Sequence, residues 1–297
     1  MSTIVVAPGQ GSQTSGFLAS WITDVPGFRS QLETYSAVVG LDLFELGTQA
    51  TDETIKDTAI AQPLIVAASL ASYRTMPDAK IEGVAGHSVG EFTAAAISGV
   101  LSDEDALKMV SVRAKAMATA SAKVETSMAA IIGGETSAVS AKLEEYSLVG
   151  ANHNGAGQLV AAGLKTDIQR LLDGPPEKSR VIELKVAGAF HTPFMEEARQ
   201  ELEVFASQIV PSNPQLKLWS NESGQLVESG SEFLRLLVHQ VANPVRWDLV
   251  MKSFEGLDAD IIELVPAGTL SGLLKRAVQD CRALPLRTPQ DFEKVAK

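Results

Sequence analysis

Short unbroken apolar runs alternate along this chain with stretches in which apolar residues recur every three or four positions. That is the pattern of strands buried on both faces, connected by helices. Residues 3–7 form the first such run, followed by the glycine-punctuated loop Pro8-Gly9-Gln10-Gly11-Ser12-Gln13. The spacing of Leu64, Ala67, Ala68 and Ala71 predicts a helix over 61–76, with Pro63 in its first turn. A strand over 81–85 and a compact helix over 92–97, ended by Gly99, come next. Ser102 and Asp105 make a capping-box-like start to a helix running to about 120. Further on, Thr192 caps a helix with Pro193 in its first turn and Phe194, Ala198, Leu202, Phe205 and Ile209 as its apolar stripe. A strand over 260–265, the turn Pro266-Ala267-Gly268 and a helix to 278 follow. These segments predict an α/β, hydrolase-like large domain built on a parallel sheet.

The middle of the chain reads differently. Strand patterns over 128–133, 148–151, 158–162 and 180–186 are interleaved with helical ones over 137–146 and 167–172. The order βαββαβ is that of a ferredoxin-like unit. The expected organisation is therefore a discontinuous large catalytic domain, 1–124 and 191–297, with a small ferredoxin-like domain inserted at 125–190. No repeats, low-complexity tracts or long linkers interrupt it.

The most informative motif is Gly86-His87-Ser88-Val89-Gly90-Glu91, a G-x-S-x-G sequence between a predicted strand and a predicted helix. That context makes a nucleophile elbow, a turn sharp enough to expose the serine hydroxyl beside a helix N-terminus. Ser88 is the expected nucleophile. A serine needs a base, and the chain has only four histidines. His87 is inside the elbow and points away, His153 lies between two asparagines on the inserted unit, and His239 sits on a predicted helix. His191, at a strand-to-helix junction downstream of the serine, is the expected base. No carboxylate stands out as a third member, so a Ser-His dyad oriented by a backbone carbonyl is expected.

Arg113 falls on the buried stripe of its helix with Ala106, Val110 and Met117. A buried arginine needs a partner: either an internal carboxylate, or a carboxylate on the substrate held bidentately. Spacing alone leaves both readings open. Backbone N–H groups in Gly9-Gln10-Gly11, with that of Val89, are placed to form an oxyanion hole.

Composition narrows the class. The formal charge of −11 argues against nucleic acid as a partner. Local basic spots at Lys275-Arg276, Lys178/Arg180 and Lys185 remain for anionic ligands. Cys281 is the only cysteine, which excludes an internal disulfide and a cysteine metal cage. Neither a signal-peptide pattern nor a membrane-span run is present, so the expected location is the cytoplasm.

With these motifs in order, the chain resembles the malonyl-CoA:acyl-carrier-protein transacylases and the acyltransferase domains of fatty-acid and polyketide synthases. The resemblance spans almost the whole chain. It includes Asn152 to Gln158, Ala189-Phe190-His191, Asn243-Pro244-Val245-Arg246-Trp247 and the run from Pro266 to Leu273. Ala7, Ala114 and Val265-Pro266-Ala267 depart from the family's usual aromatic, glycine and Gly-Pro-Gly.

The resemblance implies that Ser88 is acylated, His191 is its base and Arg113 holds the malonyl carboxylate beside Met117. Gln10 and Val89 would donate to the oxyanion, and the Gln240 main-chain carbonyl would orient His191. Asn152 and Asn154 would line the cleft, and Phe190, with the small residue Val89 after the serine, would favour malonyl over branched groups. The substrates implied are malonyl-CoA and an acyl carrier protein, the enzyme acting as a monomer without metal or cofactor. Rival readings are a serine thioesterase or esterase on the same elbow, and a non-catalytic scaffold.

Overall fold

The computed structural model describes residues 2–295. Its larger sheet is five-stranded and wholly parallel. It contains β1 (Ser2–Ala7), β2 (Ile81–Gly86), β7 (Lys217–Leu218), β8 (Ala259–Glu263) and β9 (Arg282–Pro285), in the order β7-β2-β1-β8-β9. The central strand β1 is apolar from Ile4 to Ala7 because both of its faces are covered. Leu64, Phe92 and Val110 pack with Val5 on one side, while Trp247, Val250 and Leu274 pack with Val6 on the other.

The second sheet is antiparallel and four-stranded: β3 (Thr126–Gly133), β4 (Val149–Gly155), β5 (Gln158–Leu164) and β6 (Ser179–Glu183), in the order β4-β5-β3-β6. Alternation along β3 divides its side chains by face. Ala129 and Ile131 join Val139, Ile168 and Leu171 under the helices Thr136–Glu145 and Lys165–Asp173. Met128 and Ala130 face the other way and line a cleft. The antiparallel sheet is tied to the rest of the chain at Val245, whose N–H donates to Ala151 O (2.9 Å) and whose carbonyl accepts from His153 N–H (2.8 Å).

Two local expectations are corrected. The helix expected at 61–76 is Thr58–Arg74, because the Asp57 side chain caps it by accepting from Ala59 N–H at 2.8 Å; Pro63 is thus inside the helix. The expected stripe does not begin at Phe194, although Ala198, Leu202, Phe205 and Ile209 do pack against the core. Thr192 instead caps a short 3₁₀ turn, Pro193–Met195, and the helix proper is Glu196–Ala206. The tighter turn rotates Met195 inward and leaves Phe194 38% exposed. The buried face is then Ala198, Leu202 and Ala206, with Ile209 beyond the helix end.

Candidate active site

Strands β1 and β2 are hydrogen-bonded neighbours whose last residues, Ala7 and Gly86, lie side by side. Ligands of open parallel sheets gather at such carboxyl ends, and here the Gly9-Gln10 loop and Ser88 emerge next to each other. Ser88 has φ 53°, between β2 and the helix Gly90–Ile97. A left-handed serine costs on the order of 1–3 kcal/mol and persists only where its surroundings hold it.

The flanking glycines permit the turn. A Cβ on Gly86 would lie 2.0 Å from the Gly90 carbonyl carbon, and one on Gly90 would lie 2.2 Å from Ala7 O. Both obstacles are backbone and cannot rotate aside. Gly90→Ala is therefore expected to cost about 3 kcal/mol or more. A urea midpoint equal to that of the unsubstituted protein would overturn the packing argument.

His191, only 3% exposed and also left-handed (φ 60°), places Nε2 2.7 Å from Ser88 Oγ. Its Nδ1 is 2.7 Å from the Gln240 backbone oxygen. A carbonyl can only accept, so Nδ1 carries the proton and Nε2 turns its lone pair to the serine. Burial, reinforced by the charge of Arg113, pulls the His191 pKa down to about 3. The imidazole is neutral at neutral pH.

Arg113 is 1% exposed on the helix Asp103–Ser121. Nη1 donates to Gln62 Oε1 (2.5 Å), while Nη2 donates to Gln240 Oε1 (3.0 Å) and Ser88 Oγ (3.3 Å). Nε has no partner. Among the described residues no carboxylate forms a salt bridge with this guanidinium, so its direct partners are all neutral. Burial lowers its pKa to about 9, partly offset by Glu91, and the group stays cationic at neutral pH. A buried cation solvated only by amides and a hydroxyl is short of an anion, and the space for one is the cleft beside Ser88.

That cleft, of about 370 Å³, is lined by Gln10, Val89, Met117, Asn152, Asn154 and Phe190 together with Ser88, His191 and Arg113. Among the described residues the Gln10 and Val89 backbone N–H groups donate to no protein acceptor. His87 turns away from Ser88 as expected, its Nε2 3.0 Å from Asn154 Oδ1. His153 is not a cleft residue, and His239 stands 3.3 Å from Glu222. Of the basic spots, Lys185 is on the cleft wall. Lys178, Arg180, Lys275 and Arg276 are exposed outside it.

Three further groups were not picked out from sequence. Gln62 holds Arg113. Asn221 accepts from Ser88 N–H at 2.7 Å and donates to Gly86 O at 2.6 Å. The Gln240 side chain bridges Arg113, Ser88 and Glu91. Gln62 did leave a signal, as a polar residue inside an otherwise apolar helical run. Asn221 left none, since an asparagine after a short strand reads as an ordinary turn residue.

Residues 4–292 match the family model described as the acyl transferase domain. The chain belongs to that family of enzymes. It is 44% identical to the malonyl CoA-acyl carrier protein transacylase of Mycobacterium tuberculosis, over 98% of both chains. It is 34% identical to that of Haemophilus influenzae, over 98% of this chain and 97% of the relative. The crystal structure of the Mycobacterium tuberculosis MCAT superposes with a TM-score of 0.95 at 42% identity, covering all of both chains. A malonyl-transacylase in complex with its type II polyketide acyl-carrier protein matches at 0.92 and 28% identity, covering 99% of each chain.

Proposed function

We propose that this chain transfers the malonyl group of malonyl-CoA to the phosphopantetheine thiol of an acyl carrier protein, supplying units for fatty-acid or polyketide synthesis. The observation that carries the reading is Arg113, a buried cation with neutral partners, 3.3 Å from the serine oxygen. In a malonyl-serine ester the free carboxylate carbon is three bonds from Oγ, within reach of that guanidinium. The ester oxygen accepts hydrogen bonds poorly, so the N–H now aimed at Oγ is released to the carboxylate.

The reaction runs in two halves. Ser88 Oγ attacks the thioester carbon while His191 Nε2 takes its proton. The Gln10 and Val89 N–H groups hold the oxyanion, each such donor worth about 10²–10³ in rate. Collapse breaks the C–S bond, and His191 returns the proton to the departing CoA sulfur. The carrier thiol then repeats the sequence against the malonyl-serine ester, leaving malonyl on the carrier and the proton back on Ser88.

Phe190, on the cleft wall, would crowd an α-methyl branch. A single methyl in a pocket is worth only ~1–3 kcal/mol, so methylmalonyl is disfavoured rather than excluded. Acidic carriers need local basic groups on an acidic enzyme. Lys185 on the cleft wall fits that need, as do Lys275 and Arg276 on the helix Thr269–Ala277, whose first residues line the cleft.

The strand order β4-β5-β3-β6 supports a ferredoxin-like small domain over 125–190 inserted in a large domain of 1–124 and 191–297. The positive φ of Ser88 between β2 and its helix supports the nucleophile elbow. This reading carries with it a cytoplasmic monomer that needs no metal or prosthetic group. Among the described residues no helix is long and apolar enough to cross a membrane.

Intact-protein mass spectrometry after brief exposure to malonyl-CoA tests it. One malonyl adduct is expected, absent in Ser88→Ala and discharged by added carrier protein. Thioester consumed without an adduct would make the protein a hydrolase instead.

A further inference from the structure

Beneath Ser88 lies a buried carboxylate that neither half-reaction uses. Glu91, 1% exposed, is in the first turn of the helix Gly90–Ile97. Its Oε1 accepts from Asn221 N–H at 2.8 Å and its Oε2 from Gln240 Nε2 at 2.7 Å. Those two residues grip the serine backbone from both sides. Asn221 Oδ1 accepts from Ser88 N–H, and Gln240 Nε2 donates to Ser88 O at 3.0 Å. The other end of the Gln240 amide accepts from Arg113, and its backbone carbonyl accepts from His191. One carboxyl group therefore holds the two side chains that grip the Ser88 backbone, one of which also accepts from Arg113.

Polarity fixes the arrangement. A guanidinium only donates, and both Glu91 oxygens face N–H donors, so an amide between the two groups fits one way round. Burial pushes the Glu91 carboxyl up to about 8, and Glu222, from the segment after β7, adds to this. Glu222 is itself faced by His239. The N–H of Asn221, the Gln240 amide and the charge of Arg113 pull the other way. A carboxyl group held there at a cost to stability, with both oxygens facing N–H donors, is explained if its acceptor polarity is needed.

We propose that Glu91 is a positioning residue for acyl-group selection, holding the Gln240 amide in the orientation that keeps Arg113 aimed at the acyl group. This rests on the reading of Arg113 as the partner of the malonyl carboxylate.

Glu91→Gln is nearly isosteric and reverses the polarity. Its oxygen must still face Asn221 N–H, so its NH₂ meets the NH₂ of Gln240. The Gln240 amide turns over, presents donors to Arg113 and releases Ser88 O. Hydrogen bonds to charged groups are worth enough that kcat/KM for malonyl-CoA relative to acetyl-CoA is expected to fall about 10–100-fold.

Gln240→Met keeps the backbone carbonyl that orients His191, and is expected to lose the same preference. Adding Glu91→Gln to it should produce no further loss, because the two act in series. Gln240→Met decides the matter if Glu91→Gln fails to fold. Equal losses toward both thioesters in the folded variants would make Glu91 merely structural and overturn the proposal. So would an unchanged preference alongside a lost one in Arg113→Ala. A preference retained in Arg113→Ala as well would instead remove the carboxylate reading on which it rests.

Discussion

Arg113→Ala is expected to lower kcat/KM for malonyl-CoA by about 10²–10³-fold while acetyl-CoA, which has no carboxylate to hold, is affected far less. The magnitude follows from the environment. Removing one partner of a buried charged pair costs about 3–5 kcal/mol, largely because the surviving charge is left unsolvated. In the variant that survivor is the malonyl carboxylate, and Gln62 Oε1 and Gln240 Oε1 lose their donor with it. Arg113→Lys restores a charge but not a fork able to reach both amides and the ligand, so it should recover only part of the loss. The measurement is kcat/KM for both thioesters on folded protein, with thermal midpoints compared. A variant that keeps the malonyl preference sinks the role given to Arg113.

The sequence made this arginine visible for a physical reason. A charge on a helical stripe otherwise made of Ala106, Val110 and Met117 breaks a periodic pattern, and broken patterns can be read without a structure. The turn at Ser88 was equally legible, since glycines on either side of a small residue, after an apolar run and before a helix, have few other uses. The strands and helices of the antiparallel unit were legible too, because successive strands there are neighbours or nearly so.

The order β7-β2-β1-β8-β9 was not. Parallel neighbours are joined by long crossovers, and no local pattern says which strand lies beside which. The stripe starting at Phe194 misled because helical spacing cannot reveal that a 3₁₀ turn resets the rotation before Glu196. Least legible was the network under the serine. Gln240, Asn221 and Glu91 act through hydrogen-bond polarity between residues more than a hundred positions apart, and polarity across such distances has no periodic signature.

His191→Ala is expected to reduce serine acylation by at least about 10³-fold, with the pH behaviour of the unsubstituted enzyme as the sharper test. An ordinary histidine base would lose activity on acidification through pH 6.5. His191 has its pKa drawn down to about 3 by burial and by Arg113, so the free enzyme keeps its base neutral well below that point. kcat/KM for malonyl-CoA and acetyl-CoA should therefore share no step near 6.5.

Stability, unlike activity, does respond to acidification over this range. Between pH 6.5 and about 3 the unfolded chain binds a proton at this residue that the native state refuses. Stability consequently rises with pH across that window and is lost on acidification, by roughly 1.4 kcal/mol per pH unit for this one group. His191→Ala removes the group from both states. Its urea-unfolding free energy should thus fall less steeply than that of the unsubstituted enzyme between pH 6 and 4 (about the range over which both stay measurable). Parallel slopes, or a shared acid limb near 6.5 in both thioester profiles, would show that His191 titrates as an ordinary solvated histidine and is not the buried neutral base its hydrogen bonds describe.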